Sequence, residues 1–128
     1  MRKLMILILM VSVIVLLGFK EFETAIDFKS QGFERMHTTA YCLHGITASG
    51  GTTRPGIAAC NPHIGEVALI YTLDGEYLGM YEVTDAGTND RLVRGTSIDV
   101  WHDNLDECQE WMETTGGEIW VMWIKGDG

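Results

Sequence analysis

Positive charge is scarce in this sequence. Nine Lys and Arg stand against eighteen Asp and Glu in 128 residues, a formal net charge of −9. Phosphate backbones are bound through a basic footprint, so no nucleic-acid partner is expected. The acid excess itself calls for no partner, because it also keeps a surface soluble. Cysteine is sparse too, with no C-x-x-C pair among Cys42, Cys60 and Cys108. His37, His44, His63 and His102 lack ligand spacing to those cysteines, so no metal is expected and the histidines read as scattered surface residues. Around Asp85, Gly87 and Asn89 the order D-x-[DN]-x-[DN]-G and its closing Glu are missing, which leaves an EF-hand unsupported. There is no internal repeat and no low-complexity segment, and no cofactor is expected.

What the sequence does contain is an uncharged apolar run at residues 4–19, directly behind Arg2 and Lys3. A basic start followed by unbroken apolarity reads as a signal peptide or signal anchor over residues 1–19. The run falls slightly short of the ~20 residues of a spanning helix. No small-x-small cleavage site follows it, which favours the uncleaved anchor. In either case the positive-inside rule places the rest across the membrane, in the cell envelope or secreted. Without Arg2 and Lys3, seven basic residues face eighteen acidic ones there.

Residues 20–36 read as a tether, whose polar stretch at 20–31 with scattered Phe has no sustained period and leaves room for a brief helix. Residues 37–125 then form one domain, large enough for a single modest core. Its dominant period is two. EVALIYT at 66–72 alternates Val67, Leu69 and Tyr71 against Ala68 and Ile70, and the turn at Asp74 and Gly75 makes a hairpin with 77–84. Residues 37–43 and 97–101 read as further strands, and IWVMWI at 119–124 as a closing one. A glycine-rich loop, ITASGGTTRPG, is long enough to cover a groove. One helix is expected, capped by Asp103 or Asn104 with Glu107 completing a capping box, and Leu105, Cys108, Trp111 and Met112 forming its apolar face. Short strands with one helix suggest a small β-barrel. Cys42 ends a strand and Cys108 lies on the helix face, so in an oxidising compartment Cys42 is expected to bridge Cys108, with Cys60 as the alternative partner.

Two aspartates stand out. Asp85 ends the strand that begins at Tyr77, and Asp99 lies inside the next, flanked by Ile98 and Val100, so it points away from them. Aspartate is disfavoured inside a strand. Burial, or a second carboxylate nearby, would raise its pKa toward that of a general acid at neutral pH. From spacing alone the competing reading is a solvated Asp99, or one bonded to the turn at Gly95 and Thr96, with Asp85 opening an Asx-turn.

TAY at 39–41, TASG at 47–50, ACNP at 59–62, DAG at 85–87 and GTSIDVW at 95–101 together resemble the ordered motifs of the 3D, or three-aspartate, domain. That family is similar to the catalytic barrel of membrane-bound lytic transglycosylase A. The resemblance spans about residues 38–124 and implies a six-stranded double-psi β-barrel acting on peptidoglycan glycan strands. It implies that Asp99 is the catalytic residue and Asp85 its support, with Asn61, Thr39 and Tyr41 available to sugar hydroxyls or amides. Two departures are visible. Asn61 stands where the family has its first aspartate, and the segment joining Asp85 to Asp99 is longer, with Thr88, Asn89 and Asp90 the apparent insertion.

The implied chemistry is cleavage of the bond between N-acetylmuramic acid and N-acetylglucosamine with a 1,6-anhydro product. A catalytically silent glycan-binding module and an anchored structural or interaction protein are the alternatives, since a fold does not fix a function. Trp101, Trp111, Trp120 and Trp123 read as packing residues rather than sugar platforms, and Tyr41 equally as core.

Overall fold

Strand alternation is realised with its inward side on the smaller residues. In the strand Glu66–Thr72, Ala68, Ile70 and Thr72 are buried, while Val67, Leu69 and Tyr71 stay half-buried on the other face. The structure is a computed structural model that describes residues 2–126, with the side chains of residues 4, 7 and 11–22 outside the described set. In chain order the elements are α1 (Arg2–Ser30), β1 (Glu34–Tyr41), β2 (Ile57–Ala59), β3 (Glu66–Thr72), β4 (Tyr77–Asp85), α2 (Asp90–Arg94), β5 (Ser97–Trp101), α3 (Leu105–Thr115) and β6 (Glu118–Lys125).

The six strands close a barrel in the order β1-β5-β2-β4-β3-β6. The pairs β1 with β5 and β2 with β4 are parallel, and the other four pairings are antiparallel. Parallel neighbours cannot be joined by a tight turn, so each of these pairs is separated in sequence by other elements. Met36, Ala58, Ala68, Ile70, Val83, Ile98, Val100, Ile119 and Val121 fill the core, together with Cys60 and Trp111. Closure leaves no free sheet edge, which suits a small barrel.

The expected helix is α3. The Asn104 side chain accepts from the Glu107 N–H at 2.9 Å, and the Glu107 carboxylate accepts from the Asp103 N–H at 3.1 Å, a capping box displaced by one residue. Gly116 ends the helix in the left-handed region at φ 64°. Its buried face differs from the expected one: Cys108, Trp111 and Thr115 are buried, whereas Leu105 is 63% exposed and Met112 also faces out. The helix axis is set by Trp111, whose indole enters the barrel core, and this turns Leu105 outward.

The expectation of a single helix is also corrected. Five residues, Asp90–Arg94, form α2 between β4 and β5, capped by Asn89 and ended by Gly95 at φ 79°. The polar segment expected to be a tether is helical as far as Ser30. Phe28 stacks on Trp120 with centroids 5.5 Å apart and rings 3° from parallel, and meets Phe33 edge-on at 5.0 Å. Among the described residues no helix is long and apolar enough to cross a membrane. The anchor expected at residues 1–19 falls largely on side chains outside the described set.

Thr38 joins three elements. Its hydroxyl accepts from the Trp111 indole N–H at 2.9 Å and donates to the Ile98 carbonyl at 3.0 Å, tying α3 to β1 and β5. Thr38→Val leaves a buried indole N–H unpaired and should cost about 1–3 kcal/mol, whereas Thr38→Ser keeps both bonds and should cost about 1 kcal/mol or less. Urea denaturation of both variants checks the order, and equal losses would refute the hydroxyl's role.

Candidate functional site

Asp99 is aimed by its neighbours. Ile98 and Val100 point into the barrel and are fully buried, so the residue between them faces the other way. Asp85 needs more than alternation. It lies two residues beyond Val83, a core residue, and in a regular strand would share its inward direction. Between Ala58 and Ala59 the β2–β4 register shifts, so that Val83 pairs with Ala58 but Asp85, not Thr84, pairs with Ala59. This bulge turns Asp85 onto the face that Ala59 occupies.

A row across the sheet results. Thr39 pairs with Asp99, Asp99 with Ala59, and Ala59 with Asp85. The two aspartates flank one alanine and are two strand spacings apart, about 9–10 Å between Cα atoms. Only a methyl group stands between them.

Asp99 is partly buried, and its Oδ1 is a buried oxygen with no hydrogen-bond partner among the described residues. Burial is the main reason its pKa rises from 3.8 to about 6. The Thr39 hydroxyl works against that rise by hydrogen bonding, and the Asp85 charge adds to it. Asp85 is instead saturated. Its Oδ1 accepts from the N–H groups of Ala48 at 3.0 Å and Ala86 at 2.9 Å, and its Oδ2 from the Tyr41 hydroxyl at 3.0 Å. Tyr41 is thereby engaged with Asp85. Burial first, then the hydrogen bond and charge of Asp85, push its phenol pKa up, so it stays a donor.

The glycine-rich loop lies over the end of β4. Ser49 donates to the Thr84 carbonyl at the bulge from its N–H at 3.0 Å and from its hydroxyl at 2.8 Å, satisfying the group that the bulge frees. Asn61, on the turn after β2, uses both ends of its amide on Gly87: Nδ2 donates to the carbonyl and Oδ1 accepts from the N–H, each at 2.9 Å. It pins the start of the β4–β5 connection.

A groove of about 780 Å³ opens over Asp99, with Thr39, His37, Arg91 and Glu118 among its lining residues. Of the residues expected to form the site, Asp99 and Thr39 line this groove. Asp85, Tyr41 and Asn61 are not among its lining residues. Arg91, His37 and the Ala48 amide were not legible as site groups. Arg91 and His37 carry no motif, and the role of a backbone N–H depends on how the loop lies.

The described residues contain no group of three or more His, Cys, Asp or Glu placed to hold a metal ion. Cys42, Cys60 and Cys108 are free thiols in this structure, so the expected bridge is not formed. Burial first, and then the nearby Cys42, push the Cys108 thiol pKa up, while Cys60 is wholly buried in the core. Compared with known proteins, the chain matches no family model, no curated protein and no solved structure.

The raised pKa of Asp99 makes a stability prediction. Its folded value of about 6 exceeds the ordinary 3.8, so its contribution is complete below about pH 4 and is lost as pH rises through about 6. Asp99→Asn should therefore be neutral at pH 3.5 and stabilising above pH 7, by on the order of 1–2 kcal/mol after allowing for solvent screening. Thermal melts across that range test it, and a pH-independent difference would contradict the burial argument. Asn61→Asp should act in the opposite sense near neutrality. Its carboxylate loses the donor to Gly87 and faces a carbonyl oxygen, costing about 1–3 kcal/mol at pH 7. The deficit should shrink in acid, where the carboxyl is protonated, and a variant as stable as wild type at pH 7 would show the amide clamp to be dispensable.

Proposed function

We propose that the protein is an exported, membrane-anchored lytic transglycosylase-like enzyme of the cell envelope that cleaves peptidoglycan glycan strands. The observation that carries this reading is Asp99: a partly buried carboxyl with an unpartnered oxygen and a pKa near 6, opening into a groove of about 780 Å³. The two parallel pairs in a closed six-stranded barrel are the crossings a double-psi path requires, and they support that finer description. The exposed Met5, Ile6, Ile8, Leu9 and Met10 on α1 support insertion of its N-terminal half into a membrane.

In the proposed reaction the bond from the anomeric carbon of N-acetylmuramic acid to the bridging oxygen breaks. Protonated Asp99 gives its proton to that oxygen as positive charge grows on the ring. The muramoyl 6-hydroxyl oxygen then bonds to the anomeric carbon, and its proton returns to Asp99. Atoms balance without water, and one carboxyl serves both steps. Asp85, fixed by three donors, contributes a nearby negative charge that favours the protonated form of Asp99. That contribution is secondary to burial.

The runner-up is a glycan-binding module without turnover. It is favoured by Asn61, which stands at the family's aspartate position and is held by Gly87. Incubation of the full-length chain with purified peptidoglycan separates the two, with anhydro-muropeptides as the product of the enzyme and sedimentation without products as the mark of the module. Turnover should decline above about pH 6 as Asp99 ionises. Asp99→Asn should lose it about 10²-fold or more, while Asp85→Asn loses less and moves the upper pH edge only slightly downward. Equal traces of product from wild type and Asp99→Asn would refute the enzyme.

A further inference from the structure

The arginines of the barrel domain fall into two kinds. Arg35 pairs with Glu118, Arg54 with Glu82 at 2.7 Å and Arg94 with Asp90 at 3.2 Å. Arg91 has no acidic partner among the described residues, although the chain carries twice as many acidic as basic residues. It also lines the groove over Asp99. An unpaired guanidinium in so acidic a chain is free to take up an anion, and its planar fork fits a carboxylate through two parallel hydrogen bonds.

The scaffold beneath Arg91 is firm. Asn89 caps α2 by accepting from the Arg91 N–H at 2.9 Å, and the Arg91 carbonyl accepts from the Thr96 N–H at 2.9 Å. Leu92, next to it, is buried against Gly87, where an added Cβ would come within 2.6 Å of the leucine side chain. Three acidic groups line the same groove, and none is paired with Arg91: Asp99 makes no ion pair among the described residues, and the other two are taken. Asp90 is held by Arg94 and Glu118 by Arg35. His37 adds a second basic group to the lining.

We propose that Arg91 is a specificity-determining residue that binds a carboxylate carried by the glycan, so that the groove selects acidic strands over uncharged ones. This rests on the glycan-cleaving reading of the same groove. The carboxylate can come from the lactyl group of a muramoyl residue stripped of peptide, or from the peptide attached to it.

The test uses the full-length chain carrying Asp99→Asn, with calorimetric binding of three probes: chitooligosaccharide, which is uncharged; peptide-free glycan strands; and strands with peptides intact. Adding Arg91→Gln should weaken binding of one or both acidic probes about tenfold and leave chitooligosaccharide unchanged, and Arg91→Lys should recover part of the loss. The acidic probe that responds identifies the source of the carboxylate. Raising salt should reduce the difference between the chain that keeps Arg91 and the one carrying Arg91→Gln. If all three probes bind equally with and without Arg91, the inference falls and the proposed function stands. If the chain with Arg91 intact binds no probe, both fall.

Discussion

Ala58 and Ala59 hydrogen-bond to β4 along one edge and to β5 along the other, and the irregularity between them governs where Asp85 lies. Without the bulge opposite this step, Asp85 would follow Val83 into the core, where an ionised carboxylate has no compensation. With it, Asp85 joins the outer row and meets three donors. The glycine-rich loop is drawn in by the same irregularity, because Ser49 satisfies the carbonyl of the displaced Thr84. One extra residue in β4 thus orders the strand end, the loop and the carboxylate together.

The two aspartates consequently have different physical characters. Asp85 is surrounded by donors and does not line the groove, whereas Asp99 has lost part of its solvent and keeps one oxygen without a partner. Desolvation outweighs the neighbouring charge in setting Asp99. Acid–base behaviour at this position therefore depends more on what excludes water from β5 than on the presence of a second or third carboxylate. Asn61 illustrates the point, since its position is served by an amide that can both donate and accept, a task no ionised aspartate can perform.

Much of the barrel was legible in the sequence. Period-two alternation located β3 and β5 with their full bounds, and the capping residues around Asn104 located α3. β2 was missed because three residues, Ile57, Ala58 and Ala59, are too few to show a period, and all three are buried. α2 was missed for a related reason: five residues carry a cap at Asn89 and a stop at Gly95, but less than two turns between them. The outward direction of Asp99 followed from Ile98 and Val100, whereas that of Asp85 depended on a register shift that a single strand's sequence does not encode. Arg91 became visible only when the other arginines had been matched to their acids. The outward turn of Leu105 reflects tertiary packing, since the large indole of Trp111 fixes the rotation of α3 over whatever its own periodicity prefers.

The stack of Phe28 on Trp120 changes how the barrel relates to α1. A flexible tether would let the groove sweep every direction its length allowed, like a ball on a string. Here the last turns of the helix are clasped by Trp120, Phe33 and Tyr71, with only the short link through Gly32 between helix and barrel. The groove therefore has a heading geared to the helix axis, as a blade has to its handle. Rotating or tilting α1 would turn the mouth of the groove with it.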